Sequence, residues 1–322
     1  MLVQKNIRKD VAMEIFAKGS ARQNSYGPQK EKKESNEQYE ERAIKAYNTP
    51  RKWSEIPYPG ESRPPQGLDP SAGSWYTYFF RRNENGLLTT PDGQPVSFDI
   101  QNPKNINFNE SLLIVKRVLK NLTPRQRIIA EYWGDGPPAK QWTSIIDRLI
   151  DTYGFSPARA ARVLAAVQAG INDAFVITWY FKYLWDVPRP IQLDRKLATA
   201  ICTPRFPSYP SGHSVVSGTA EVILSYFFPP EADRLRELAE ENSIFRLYGG
   251  VHFIEDLTEG LNLGRQIGRI VVEALSRQRD INNRPIDIPV TEDKHANLPP
   301  PPYEQVISFP SRVRDCDLPL IP

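Results

Sequence analysis

Three segments of this 322-residue chain carry the side chains needed to hold a multiply charged oxyanion. The first is Lys182-Tyr-Leu-Trp-Asp-Val-Pro-Arg189-Pro190. The second is Pro210-Ser211-Gly212-His213. The third is Arg246-Leu-Tyr-Gly-Gly-Val-His252-Phe-Ile-Glu-Asp256. Lys182, Arg189 and Arg246 supply fixed cations, and the guanidinium groups offer forked donors to paired oxygens. The Ser211 hydroxyl and the Gly212 N–H suit a helix N-terminus aimed at an anion. His213 and His252 are two of only three histidines in the chain. They can flank the anion, one as nucleophile or ligand and the other as general acid–base. Asp256 follows His252 by four residues. If a helix has begun there, it shares a face with His252 and can accept the other imidazole N–H, so fixing the tautomer.

Each segment alone has a plainer reading. Lys182 and Arg189 read as surface charges, Ser211-Gly212-His213 as a helix cap, and Arg246 with Asp256 as a structural ion pair. Their combination favours the oxyanion reading. Lys182 also closes a run of apolar residues, where an unpaired cation is costly and an anion relieves the cost.

The elements that must position these segments are helices. Apolar spacing predicts helices over 111–122, 125–133, 142–153, 157–185, 211–228, 231–247 and 252–277. Thr123-Pro124 and Ser156-Pro157 read as N-caps followed by Pro at the first helical position. Gly134-Asp135-Gly136-Pro137-Pro138 reads as a break. The stretch 165–185 is apolar on nearly all faces and is expected to be a central, buried helix. The fold class is therefore all-α: a helical catalytic core over 108–277, an irregular arm over 1–107 and a Pro-rich tail over 278–322. A short helix is expected over 37–47. The cluster Trp75-Tyr76-Thr77-Tyr78-Phe79-Phe80 is expected to pack on a neighbouring surface rather than form a site. Pro299-Pro-Pro-Pro-Tyr303 reads as a tail lying on the core, with docking as a polyproline II ligand the lesser alternative.

Composition narrows the function classes. With 41 basic and 38 acidic residues the net charge is +3, which is no nucleic-acid footprint. Cys202 and Cys316 are the two cysteines, too few for a metal cluster and enough for one disulfide. The N-terminus shows no secretory signal. The longest apolar run, 174–181, falls short of a membrane span, so no span is expected and the location is cytoplasmic or unknown.

The three segments resemble the signature of the type 2 phosphatidic acid phosphatase (PAP2) superfamily, which includes vanadium-dependent haloperoxidases and bacterial acid phosphatases. Their flanks are more similar to the haloperoxidase branch: Asn172-Asp173-Ala174 through Trp179, Lys182 and Tyr183; Phe206-Pro-Ser-Tyr-Pro-Ser-Gly-His213-Ser; and Tyr248-Gly-Gly-Val-His252-Phe with Gly260 and Leu263-Gly264. The likeness covers about 170–265 closely. It implies a helical bundle of the chloroperoxidase/acid phosphatase type with vanadate as cofactor. His252 would bind the vanadium, while Lys182, Arg189, Arg246, Ser211 and Gly212 would hold its oxygens. His213 would serve as acid–base, and Trp179 and Phe206 would line the halide side. Hydrogen peroxide and halide would be the substrates and hypohalous acid the product. In the phosphatase branch phosphate takes the same cradle. His252 then attacks a phosphate ester to form a phosphohistidine, His213 protonates the leaving alcohol, and Asp256 orients His252. A non-catalytic oxyanion binder is a third reading. By analogy alone, a homodimer through the core helices is expected.

Overall fold

The computed structural model describes residues 52–305. The expected helix over 37–47 and Cys316 lie outside them. Cys202 is disulfide-bonded.

Each helix begins where the local chemistry allows. Helix α1, Phe108–Lys120, is capped by Asn107, whose side chain accepts from Glu110 N. Helix α2, Pro124–Gly134, opens on a reciprocal cap: Gln126 N donates to the Thr123 hydroxyl at 3.2 Å, and Thr123 N donates to Gln126 Oε1 at 2.9 Å. Helix α3 runs Pro138–Tyr153. It starts earlier than the sequence suggested, because Pro138 stands at the first helical position, where a missing N–H costs nothing. Gly154 ends it in the left-handed region, at φ 63°. Helix α4, Pro157–Trp185, is the long one. It stops at Asp186, whose carboxylate accepts from the Ser54 hydroxyl at 2.5 Å and from Ser54 N at 3.1 Å. A single turn, Pro190–Leu193, follows. Helices α5 (Gly212–Phe227), α6 (Ala232–Tyr248) and α7 (Ile254–Ser276) complete the core.

Helix α5 lies at the centre and is buried along most of its length, packed by α4, α6 and α7. The α5–α7 contact is unusually close. Gly260, Gly264 and Gly268 recur one turn apart on α7, and a Cβ at Gly264 would stand 2.1 Å from the Val215 carbonyl oxygen. Opposite them, a Cβ at Gly218 would stand 2.7 Å from the Leu261 carbonyl oxygen. Backbones can meet at this range only where side chains are absent. The contact joins the starts of the two helices, with Ser211 N donating to the Asp256 carbonyl at 2.9 Å.

Residues 52–107 hold short 3-10 turns and one antiparallel hairpin, β1 (Arg81–Arg82) with β2 (Leu88–Thr89). Asp173, fully buried on α4, accepts from Tyr78 N at 2.8 Å and Phe79 N at 2.7 Å, fastening this segment to the core. The aromatic cluster divides. Phe80 is buried, whereas Trp75, Tyr76 and Tyr78 stay at least half exposed. The proline run lies on the core: Leu298, Pro299 and Pro300 are buried, Arg234 donates to the Pro300 carbonyl, and Tyr303 packs edge-on against Tyr132.

The expectation that no segment is apolar enough for a span needs correcting. The stretch Pro157–Leu193 is long and apolar enough by composition, with mean hydropathy 1.3, and half of its most apolar window is buried inside the protein. The sequence reading counted only uninterrupted apolar residues, whereas the helix carries its hydropathy across Thr178 and a single pair of buried charges, Asp173 and Lys182.

Replacing Gly264 by Ala should force α5 and α7 apart and destabilise the fold by about 1–3 kcal/mol, the usual range for overpacking. Thermal unfolding of Gly264→Ala beside Gly212→Ala checks it. At Gly212 a Cβ would make only ordinary contacts of 3.7 and 3.9 Å, so that variant should melt with the parent protein.

Candidate active site

The end of α4 and the loop after it bring two cations inward. Lys182, in the last turn, is fully buried and donates to the carbonyls of Pro207 at 2.7 Å and Ser208 at 2.8 Å. Arg189, also fully buried, donates from Nε to the Phe206 carbonyl at 2.9 Å and from Nη1 to the Val251 carbonyl at 2.8 Å. Both sit over the Phe206 ring, 5.2 and 5.0 Å from its centre. Arg246, in the last turn of α6, is 2% exposed. Ser211 caps α5, accepting from Ser214 N at 3.4 Å, so that Gly212 and His213 occupy its first turn.

His252 and Asp256 meet, though not along a helix face as the sequence reading supposed. Helix α7 begins only at Ile254, so His252 lies ahead of it and Asp256 is its third residue. Asp256 Oδ2 accepts from Phe253 N at 3.1 Å, which closes the helix start. It also accepts from His252 Nδ1 at 2.7 Å and from the Ser208 hydroxyl at 2.5 Å. With the Nδ1 proton committed to a carboxylate, His252 Nε2 carries the lone pair. Arg189 Nη1 stands 2.9 Å from it. Sequence reasoning assigned Ser208 no role. Its place inside the second motif was the available signal, but its bond to Asp256 spans 48 residues and needs the folded chain.

Electrostatics point the same way. Burial, then the neighbouring Arg189 charge, pushes the Lys182 ammonium well below its usual pKa. Burial, then Arg246, pushes His213 down, and burial, then Arg189, does the same to His252. Burial raises Asp256 to about 6 despite the Ser208 hydrogen bond that opposes the rise. His213 Nε2 is buried without a hydrogen-bond partner, while the ring bonds to the Trp133 backbone. Three buried cations around one carboxylate, with an orphaned imidazole nitrogen beside them, fit a multiply charged oxyanion such as vanadate or phosphate.

In front of these groups lies a cavity of about 280 Å3. Gly212, His213, Arg246 and His252 reach its lining, as do Trp179 and Phe206. Lys182, Arg189, Ser211 and Asp256 stand behind that lining. The sequence reading missed the outer wall, where Leu68, Asp69 and Trp75 come from the segment expected to be an arm without a site. The signal was Gly73, where a Cβ would stand 2.6 Å from Tyr180 N, marking a close backbone approach to α4.

Residues 161–280 match the PAP2 superfamily. A comparison of the sequence with curated proteins finds no match. Among solved structures, a bacterial vanadium-dependent iodoperoxidase is similar at 22% identity and TM-score 0.53, over 70% of this chain and 60% of that one. The apo form of a bacterial vanadium-dependent chloroperoxidase is similar at 14% identity and TM-score 0.55, over 70% and 62%. The chain thus spans about 60% of the length of these two proteins, and they share its all-α fold. A transmembrane PAP2-type phosphatidylglycerolphosphate phosphatase from Bacillus subtilis aligns at 18% identity and TM-score 0.42, over 55% and 90%.

The depressed Lys182 pKa has a testable sign. An anion bound among the cations restores the lysine charge. Between the free and bound pKa values, the complex therefore holds more protons than the free protein. Phosphate affinity should fall as pH rises through that interval, with proton uptake on binding. Calorimetry in buffers of different ionisation enthalpy measures the uptake, and Lys182→Met should abolish it. A pH-independent affinity would show that Lys182 stays charged without the anion.

Proposed function

We propose that this protein is a vanadate-dependent haloperoxidase, which uses hydrogen peroxide to oxidise halide. The observation that carries the reading is His252: its Nδ1 proton is held by Asp256, and the residue lines a cavity walled by Trp179 and Phe206. Vanadate, when bound, supplies a Lewis-acid centre that activates peroxide for two-electron oxidation of the halide. The chain's own residues do the rest. His252 Nε2 would hold the vanadium. Asp256 keeps the tautomer, and Ser208 keeps Asp256 in place. Lys182, Arg189 and Arg246 would neutralise the oxygens, and Ser211 and Gly212 would donate hydrogen bonds at the start of α5. His213 Nε2, with its lowered pKa, accepts and returns the proton. The aromatic walls keep bulk water from the halide.

The His252–Asp256 pair also supports a second reading, hydrolysis of phosphate monoesters. There, Nε2 attacks phosphorus and His213 protonates the leaving alcohol. The substrates in either case are small molecules.

The two readings separate in one set of assays. Vanadate-loaded protein should oxidise iodide or bromide with peroxide. His252→Ala should lose both vanadate binding and turnover. His213→Ala should keep the vanadate and lose about 10²–10⁴-fold in rate, the usual worth of a positioned acid–base. Release of phosphate from p-nitrophenyl phosphate, blocked by vanadate and without halide oxidation, would establish the phosphatase instead. Vanadate binding with neither activity would leave an oxyanion binder.

A further inference from the structure

The oxyanion site accounts for the floor of the cavity but not for its walls and rim. The walls are a continuous aromatic surface: the Phe175 and Trp179 rings lie 5.6 Å apart, and Trp179 and Phe206 lie 4.8 Å apart. Trp75, 52% exposed, closes the outer side. Shielding a halide ion needs only the inner rings, Trp179 and Phe206, and leaves Phe175, Trp75 and the rim without a task. At about 280 Å3 the space is just below the range of sites for drug-sized ligands, so it suits a molecule of one or two rings.

The rim has a definite polarity. Asn172 spends its amide hydrogens on the Tyr76 carbonyl at 3.1 Å and on Asp173 Oδ1 at 3.1 Å. What remains for the cavity is its carbonyl oxygen. The outer lining also holds Asp69, a carboxylate, and the indole of Trp75. The rim therefore offers two acceptors, Asp69 and the Asn172 carbonyl, while the floor is made of cations and imidazoles. Asp69 stands at φ 46°, a left-handed conformation that Asp tolerates and most residues do not. The Leu68 carbonyl beside it is tied down by Trp179 Nε1 at 3.2 Å and by the Tyr183 hydroxyl at 2.8 Å. These bonds hold the rim on the central helix.

We infer that this cavity binds the organic substrate, a planar aromatic carrying an N–H or O–H donor, such as an indole or a phenol. The donor meets Asp69 and Asn172, the ring lies among Trp75, Phe175 and Trp179, and its far edge faces the oxyanion floor. The binding is a property of the cavity. The reaction on the bound ring rests on the haloperoxidase reading. In it, hydrogen peroxide is reduced to two waters while halide is oxidised by two electrons. The halogen bonds to a ring carbon, whose C–H bond breaks. The ring proton leaves to water, and one further proton is taken from solvent. Halogenation is then directed by the bound pose rather than left to freely diffusing hypohalous acid.

Titration calorimetry with indole and 1-methylindole, on the full chain without vanadate, tests the binding separately from any activity. Indole should bind roughly tenfold more tightly, the worth of one hydrogen bond to a charged acceptor. Asp69→Gly removes the carboxylate and suits the positive φ; it should erase that preference. Trp75→Ala should weaken both ligands. Equal binding of the two indoles, no binding of either, or tighter binding of cyclohexylammonium would overturn the inference. With vanadate, peroxide and bromide, the ring positions halogenated should differ from those obtained with hypobromous acid alone, and the difference should shrink in Asp69→Gly. If bromide is oxidised but the product pattern matches free hypobromous acid, directed halogenation fails while the haloperoxidase reading stands. If bromide is not oxidised, that reading fails and the calorimetry still decides the binding.

Discussion

Lys182, Arg189 and Arg246 are 0%, 0% and 2% exposed, with Asp256 as the carboxylate beside them. Burying that much charge of one sign is unfavourable unless dipoles and a counter-ion compensate it. Much of the local architecture supplies the dipoles. The carbonyls of Phe206, Pro207 and Ser208 turn towards Lys182 and Arg189, and that of Val251 towards Arg189. The loop before α5 and the turn before α7 are therefore held in place by the cations they help to solvate. Under the proposed function a tetrahedral oxyanion would complete the balance and account for a costly cluster in the core.

The same constraint reaches the helices. Ser211, Gly212 and His213 face the cluster only because α5 begins there, and His252 faces it only because α7 begins two residues later. The glycine row of α7 brings its backbone against α5, and the Ser211 N–H meets the Asp256 carbonyl. Asp256 thus does three things at once: it closes a helix start, orients an imidazole and accepts from Ser208. Its raised pKa reflects the burial that these tasks require.

The segment after residue 52 changes what the site is. Without Leu68, Asp69 and Trp75 the oxyanion floor would open onto a shallow surface. With them it lies at the end of an aromatic cavity. Asp173 illustrates the coupling. It stands on the same helix as Lys182, yet its carboxylate is spent on the backbone of Tyr78 and Phe79, holding the outer wall in place.

Much of this was legible in the residue order. The helices appear wherever apolar spacing and caps agree, as at Thr123-Pro124 and Ser156-Pro157. The three charged segments suggested an oxyanion site by their residue types and order, and the fold buries them together. Local sequence also located the ends of most helices to within a few residues, since caps are local interactions. It placed the break before α3 correctly but started that helix at Trp142 rather than Pro138. It also treated Trp75 as packing alone, and it put His252 on a helix that had not begun. Tertiary structure decided the rest: Ser208 under Asp256, Asp69 at the rim, and which charged groups reach the cavity. These depend on contacts between residues 44 to more than 100 positions apart, and such contacts leave no periodic trace in a single chain.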